Sequence, residues 1–283
     1  MSEYLDVAVK AAQEVGALLK EKLGRVLTRE KGPADLVTET DVMAQRKIEE
    51  TLLNAFPDHC FLGEESQGAT PSFGEELESV VPSDQMLHES QCGSGAPEDK
   101  PYTWIIDPLD GTTNFVHGVP FFCTSIALAR GNDVLCGVIY NPINCELFTA
   151  EKGQGAFLNG ERITTSGETE PAQSLVAFGA FSSRTSFNTH DYAVFQRSAS
   201  VCQSIRRSGS TALNLAYVAC GRFDAMSCCC AHPWDVAAGV CIALEAGGVA
   251  THFDGSSFDI ARQPLLASAC VTLQYNILKM FND

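Results

Sequence analysis

A short apolar run, Trp104-Ile105-Ile106, passes directly into Asp107-Pro108-Leu109-Asp110-Gly111, and this junction restricts the fold more than any other stretch. The three bulky residues read as a buried strand. Pro108 has no amide hydrogen for the next rung of a ladder, so the strand is expected to stop at Asp107. Two carboxylates then sit at one rim. Gly111 permits close backbone approach, and Thr112-Thr113 can begin a helix whose free N–H groups and hydroxyls face an anion. Asp-Pro and Asp-Gly are also ordinary turn pairs, so the motif alone does not decide between a site and a turn.

The surrounding pattern is layered. Leu5, Ala8, Ala12, Val15, Leu19 and Leu23 form one stripe of an amphipathic helix ended by Gly24, and Ala44, Ile48, Leu52 and Ala55 form a second that stops before Pro57. Gly32-Pro33 marks a turn between them. Cys60-Phe61-Leu62 predicts a strand leading into Gly63-Glu64-Glu65-Ser66. Segments 124–130, 135–140 and 146–149 suggest an antiparallel meander, and Asn159-Gly160 signals a hairpin. After about residue 170 strands and helices alternate: strand 175–178, helix 192–198, strand 204–206, helix 211–219, strand 222–226, helix 234–245, then strands 249–252 and 265–269. This predicts an α+β sandwich of stacked helix and sheet layers, αβαβα in order. Residues 1–170 would carry most of the acids and 171–283 would carry Asp235, with the two regions in one unit. Residues 67–101, rich in Ser, Gly, Glu and Pro and without a period, read as a disordered insertion, with a functional lid as the alternative.

Composition narrows the function. With 19 Lys and Arg against 35 Asp and Glu, the 283-residue chain carries a net charge of −16, which repels a nucleic-acid backbone. The same field repels any anionic substrate unless bound cations reverse the local sign, so a metal site is expected. Mean hydropathy is +0.00 and no apolar run is long enough to span a bilayer, which argues against a membrane protein. Glu3 and Asp6 near the N-terminus and the lack of a basic region argue against a signal peptide, so a cytoplasmic location with mostly reduced thiols is expected for the 12 cysteines. Cys228-Cys229-Cys230 reads as a strand or loop of semi-buried thiols, because adjacent cysteines converge poorly on one zinc.

Further acids extend the motif. Asp235 opens an apolar helix and has an ordinary reading as its cap, Glu64 and Glu65 as a solvated loop, and Thr38 to Asp41 as a capping segment. Taken together, Asp35 to Asp41 (DLVTETD), Gly63 to Ser66 (GEES), Trp104 to Gly118 (WIIDPLDGTTNFVHG), Gly137 to Pro142 (GVIYNP), Lys152 to Gly160 (KGQGAFLNG) and Trp234 to Gly239 (WDVAAG) resemble the inositol monophosphatase family, within the lithium-sensitive, magnesium-dependent sugar-phosphatase superfamily. The segment after Ser66 is longer than the family's usual connector.

The resemblance implies two to three Mg²⁺ ions: Glu64, Asp107 and the Leu109 carbonyl as ligands of the first, and Asp107, Asp110 and Asp235 as ligands of the second, with a third, weaker ion beside Glu64. It implies direct attack by a metal-activated water on phosphorus, Glu64 and Thr112 orienting that water and Asp41 supporting Thr112. Gly111 and Thr112 would hold the phosphate, and Asp110, Gly209, Ser210, Thr211, Cys228 and Asp235 would line the substrate side. The family further implies Li⁺ inhibition and a homodimer. Inositol 1-phosphate is the first-ranked substrate, ahead of L-galactose 1-phosphate or histidinol phosphate. Cys228 falls where these enzymes carry an acid against ring hydroxyls, six positions before Trp234. Two rivals stand beside this reading. An aspartyl-phosphate phosphatase needs two acids two residues apart, whereas Asp107 and Asp110 are three apart. A catalytically silent metal-binding or interaction protein on the same fold is disfavoured by the presence of every matched acid.

Overall fold

The computed structural model describes residues 2–25, 28–32, 35–66, 100–179 and 189–282, so the expected insertion at 67–101 lies outside the described residues apart from Lys100 and Pro101. Helix α1 (Glu3–Lys22) starts on Ser2, whose hydroxyl accepts the Leu5 N–H, and buries Leu5, Ala8, Ala12, Val15 and Leu19 as the spacing predicts. Strands β1 (Thr28–Gly32) and β2 (Asp35–Thr38) form a separate antiparallel pair, which the apolar spacing does not signal. Helix α2 (Glu39–Ala55) follows with Thr38 and Asp41 in a reciprocal capping box.

A seven-stranded sheet is built from β3 (Cys60–Gly63), β4 (Tyr102–Asp110), β5 (Cys123–Arg130), β6 (Asp133–Asn141), β7 (Glu146–Glu151), β8 (Gly155–Leu158) and β9 (Glu161–Ile163), in that spatial order. Strands β3 and β4 are parallel and every other neighbouring pair is antiparallel. Asn159 and Gly160 both take positive φ, 52° and 82°, as a tight β8–β9 hairpin requires. A short helix α3 (Thr112–Val116) interrupts the path from β4 to β5.

The second sheet orders β11 (Ser204–Arg206), β10 (Leu175–Phe178), β12 (Ala225–Cys228), β14 (Leu265–Ser268) and β13 (Val249–His252). Helices α5 (Thr211–Ala219) and α6 (Pro233–Glu245) lie between the two sheets, while α4 (Thr189–Val201) and α7 (Val271–Asn282) cover the outer face of the second. With α1 and α2 on the far side of the first sheet, the layers run αβαβα.

Alternation along β4 shows how the layers are bound. Trp104 and Ile106 enter the core beneath α1 and α2, whereas Ile105 enters the core beneath α5 and α6. The α6 layer approaches β6 closely because Gly137 has no side chain: a Cβ there would stand 2.7 Å from the Ala238 carbonyl oxygen and 2.9 Å from its Cα. Both are backbone atoms and neither can rotate away. Gly137→Val is therefore expected to lower stability by about 2 kcal/mol or more through overpacking, read as a reduced urea midpoint with an unchanged slope; an unchanged midpoint would contradict this packing.

Three local expectations are corrected. Strand β4 does not stop at Asp107 but continues to Asp110, because a bulge absorbs Pro108. The strand expected at 222–226 lies at Ala225–Cys228, since the Arg222 and Phe223 N–H groups are drawn to the Tyr217 carbonyl at the end of α5. Helix α7 is unanticipated: its buried stripe of Leu273, Ile277 and Phe281 is blurred by exposed Val271 and Tyr275.

Candidate active site

Two residues three apart on a regular strand face opposite sides of the sheet. On β4, however, Asp107 pairs with Ser125 and Asp110 with Cys123, so three steps on one strand oppose two on the other. The extra residue returns Asp110 to the face that carries Asp107, toward α5 and α6. Pro108, which looked like a terminator, sits in the irregularity where no ladder bond is required of it.

Helix starts then converge on these acids. Asp110 accepts the Ser210 hydroxyl at 2.6 Å, the Ala212 N–H at 2.6 Å and the Thr211 N–H at 3.2 Å, all from the first turn of α5. Asp235 lies in the first turn of α6, where one oxygen accepts the His232 N–H at 2.6 Å. Oxygens of Asp107, Asp110 and Asp235 all lie within 4.8 Å of one another. Glu64 follows the neighbouring strand: parallel pairing sets Gly63 opposite Ile106, Glu64 then opens a 3₁₀ turn as β4 continues to Asp107, and its charge bears on Asp107.

On the other flank, the Thr112 hydroxyl lies 3.3 Å from Asp41 Oδ1 and 3.1 Å from the Leu109 carbonyl oxygen. Asp41 contacts it from the first turn of α2 while its second oxygen accepts the Thr38 N–H at 2.8 Å, so Asp41 is both part of the helix cap and neighbour of Thr112. Gly111 turns the chain at φ +99°, and a Cβ there would stand 3.1 Å from the Phe121 carbonyl oxygen.

The electrostatics are those of acids crowded out of water. Asp107, 2% exposed, is pushed well above the ordinary carboxylate range, first by burial and then by the charges of Glu64, Asp110 and Asp235, against the pull of the Leu109 N–H at 3.0 Å. Asp110 is raised to about 6 by burial, with the Ser210 hydroxyl and the Ala212 and Thr211 N–H groups opposing it. Such a cluster must take up protons or a cation. Its donor set is entirely oxygen: carboxylates from Asp107, Asp110, Asp235 and neighbouring Glu64, with the Leu109 carbonyl, which keeps both lone pairs when Thr112 gives its single proton to Asp41. Hard ions such as Mg²⁺ fit that set, and soft ions do not.

The remaining expected residues are placed as follows. Gly209 lies against Asn114 at φ +90°, and Ser210 and Thr211 start α5 beside Asp110. Cys228 ends β12; its thiol is 1% exposed and donates to the Cys230 carbonyl at 3.0 Å, while Cys229 and Cys230 are half-buried. Two neighbours carry no signal in the sequence. The Asn114 amide donates to the carbonyls of Phe121 at 2.7 Å and Ser208 at 2.8 Å, tying α3 to the segment before α5. The buried Cys123 thiol lies 3.9 Å from Asp110 Oδ2. Asn114 follows the two threonines of the Asp107 motif, and Cys123 begins an apolar strand, so neither stands out from its neighbours.

Among the described residues no helix is long and apolar enough to cross a membrane. Comparison with known proteins extends the pattern over the whole chain. A family model described as the inositol monophosphatase family matches residues 1–282. Inositol monophosphatase 2 of Solanum lycopersicum is 40% identical over 277 residues, covering 95% of this chain and 94% of the relative. The crystal structure of extragenic suppressor protein suhB from Bartonella henselae superposes with a TM-score of 0.83 at 34% identity, covering 100% of this chain and 99% of that one. The inositol monophosphatase structure from Anabaena sp. PCC 7120 gives a TM-score of 0.79 at 35% identity, with coverage of 99% and 95%. A buried acid cluster at the end of β4, helix starts aimed at it, and full-length agreement in sequence and fold have one common account: the chain belongs to the inositol monophosphatase family of phosphatases.

Proposed function

We propose that this protein is a magnesium-dependent phosphomonoesterase that hydrolyses inositol 1-phosphate and similar polyol phosphates, using two to three ions. The observation that supports this above all is the meeting of Asp107, Asp110 and Asp235 oxygens within 4.8 Å beside the Thr112 hydroxyl. Asp107, Asp110 and Asp235 would hold one ion, and Asp107, Glu64 and the Leu109 carbonyl another. Magnesium bound there supplies Lewis acidity, lowering the pKa of a water and neutralising phosphate charge. The chain's own residues do the rest. Thr112, donating to Asp41, keeps its lone pairs for the attacking water, and Glu64 receives the proton. The N–H groups of Gly111 and Thr112 hold phosphate oxygens at the start of α3. The α5 start, with Gly209, Ser210 and Thr211, faces the alcohol. The assembly proposed is a cytoplasmic homodimer.

Cys228 favours a second reading of the substrate. A thiol is a weak partner for a ring hydroxyl, so discrimination for inositol is reduced or the pocket suits another sugar or small-alcohol phosphate, such as L-galactose 1-phosphate or histidinol phosphate. One experiment addresses both levels: phosphate release from these substrates and from glycerol 2-phosphate, after chelation and then with added Mg²⁺. Release is expected only with Mg²⁺, with inhibition by Li⁺ and by Ca²⁺, whose larger, looser coordination would misplace the water. Cys228 is 1% exposed and packed against Leu215 and Met226, so Cys228→Glu must turn its carboxylate out of this cluster. In the folded variant, checked by its thermal midpoint, the preference for inositol 1-phosphate over glycerol 2-phosphate should rise by roughly 5- to 150-fold, the equivalent of about 1–3 kcal/mol. Activity that survives chelation, or full activity with Ca²⁺ alone, would refute the metal reading. A lowered preference in Cys228→Glu would refute the placement of residue 228.

A further inference from the structure

Helix α2 buries an unusual row. Asp41, Gln45 and Glu49 recur at four-residue steps, so they share one face, and they are only 1%, 3% and 3% exposed. A helix face with three polar side chains out of water is tolerated only where each has a partner. Asp41 faces Thr112. Gln45 faces the opposite flank of the same site: its Oε1 accepts the Glu65 N–H at 2.8 Å, while its Nε2 donates to Glu49 Oε1 at 2.9 Å. The Gln45 amide also lies flat against Gly63, where a Cβ would stand 2.6 Å from the amide carbon, nitrogen and oxygen alike. Glu64 is the residue between these two contacts.

We propose that Gln45 is a positioning residue for Glu64: wedged against Gly63 and bonded to the Glu65 N–H, it fixes the 3₁₀ turn at Glu64–Ser66 and thereby the direction of the Glu64 carboxylate. Glu49 sets which way the amide points, because only Nε2 can donate to a carboxylate and Oε1 is then turned to Glu65. One face of α2 thus supports both flanks of the site, through Asp41 to Thr112 and through Gln45 to Glu64. Groups that orient a metal-binding carboxylate commonly change metal affinity or activity by 10- to 100-fold when altered.

This inference rests on the proposed role of Glu64, and its test reads metal binding apart from turnover. Mg²⁺ affinity is measured by titration calorimetry on the full chain, alongside the Mg²⁺ dependence of phosphate release, for wild type, Gln45→Met, Gln45→Glu and the exchange Gln45→Glu/Glu49→Gln. Gln45→Met removes both hydrogen bonds, and Gln45→Glu sets two carboxylates against each other; each is expected to weaken Mg²⁺ binding at least tenfold. The exchange keeps both bonds with the roles reversed, since a carboxylate at 45 still accepts the Glu65 N–H and an amide at 49 donates to it. It should restore affinity to within about threefold of wild type. Unchanged affinity in folded Gln45→Met, or an exchange no better than Gln45→Glu, would overturn the proposal, whatever happens to thermal stability. If Gln45→Met does not fold, the comparison of Gln45→Glu with the exchange decides. Wild-type binding of Mg²⁺ without phosphate release would refute the functional reading and leave the isotherms to decide this one; no Mg²⁺ binding by wild type would refute both.

Discussion

Asp107→Asn is expected to lower phosphate release by about 10³-fold or more at saturating Mg²⁺ while leaving the protein folded. The substitution is nearly isosteric, and the amide oxygen can still accept the Leu109 N–H, so the bulge that sets the rim of β4 is preserved. What disappears is one negative charge at the centre of the cluster, next to Glu64, Asp110 and Asp235. In the proposed chemistry that charge serves two ions at once, and metal catalysis is worth several kcal/mol; a loss of about 4 kcal/mol corresponds to roughly three powers of ten in rate. The same substitution relieves repulsion among buried acids, so the metal-free variant should unfold at a temperature no lower than that of the metal-free wild type. Loss of activity with stability retained separates a chemical role from a structural one. Near-normal turnover in Asp107→Asn would remove Asp107 from the site.

How much of this could be read in the chain follows from which signals are local. The α1 and α5 helices, the meander and the Asn159-Gly160 hairpin rest on periodicity and turn chemistry confined to a few neighbouring residues, and they lie where those signals place them. The end of β4 depends on more. Pro108 is a terminator by its missing N–H, but the partner strand β5 accommodates it in a bulge, and only the bulge brings Asp107 and Asp110 to one face. A sequence records the spacing of three and not the register that gives it meaning. Gln45 illustrates the remainder: it adjoins the apolar stripe of α2 and belongs to no motif, and only the tertiary approach of Gly63 makes it a buried contact. Family resemblance pointed to the acids without this geometry; the support behind them comes from residues of no motif.

The cluster also has a thermodynamic signature: the chelated protein is expected to lose stability as pH rises from about 4 through about 6, opposite to the usual behaviour of paired surface carboxylates. Asp110 has an ordinary value of 3.8 and is held at about 6 in the fold, chiefly by burial. Below pH 3.8 the folded and unfolded chains both carry the proton, and the site imposes no charge cost. Between these values the unfolded chain releases its proton and the folded chain keeps it; above about 6 the folded chain must ionise as well, at a cost of about 3 kcal/mol for a change of this size. Asp107 is raised by burial and its acidic neighbours and acts in the same direction. His59, lowered by burial, opposes them below its ordinary 6.5, but it is one partly exposed ring against two buried acids. Over half of the Asp110 cost is already incurred at pH 5, so Asp110 alone should make the thermal midpoint in EDTA on the order of 3 to 6 °C higher at pH 5 than at pH 7.5, and Asp107 adds to that difference. Mg²⁺ competes with those protons, so its stabilisation should be large at pH 7.5 and small at pH 5. The net charge of −16 also falls with acid, and Asp110→Asn separates that general effect from the local one. Asparagine there sets an amide against N–H donors from α5 and lowers stability at every pH, but it has no proton to exchange, so the slope between pH 4.5 and 7 should flatten. A chelated wild type that instead gains stability across that interval would mean that Asp107 and Asp110 are not held protonated in the fold.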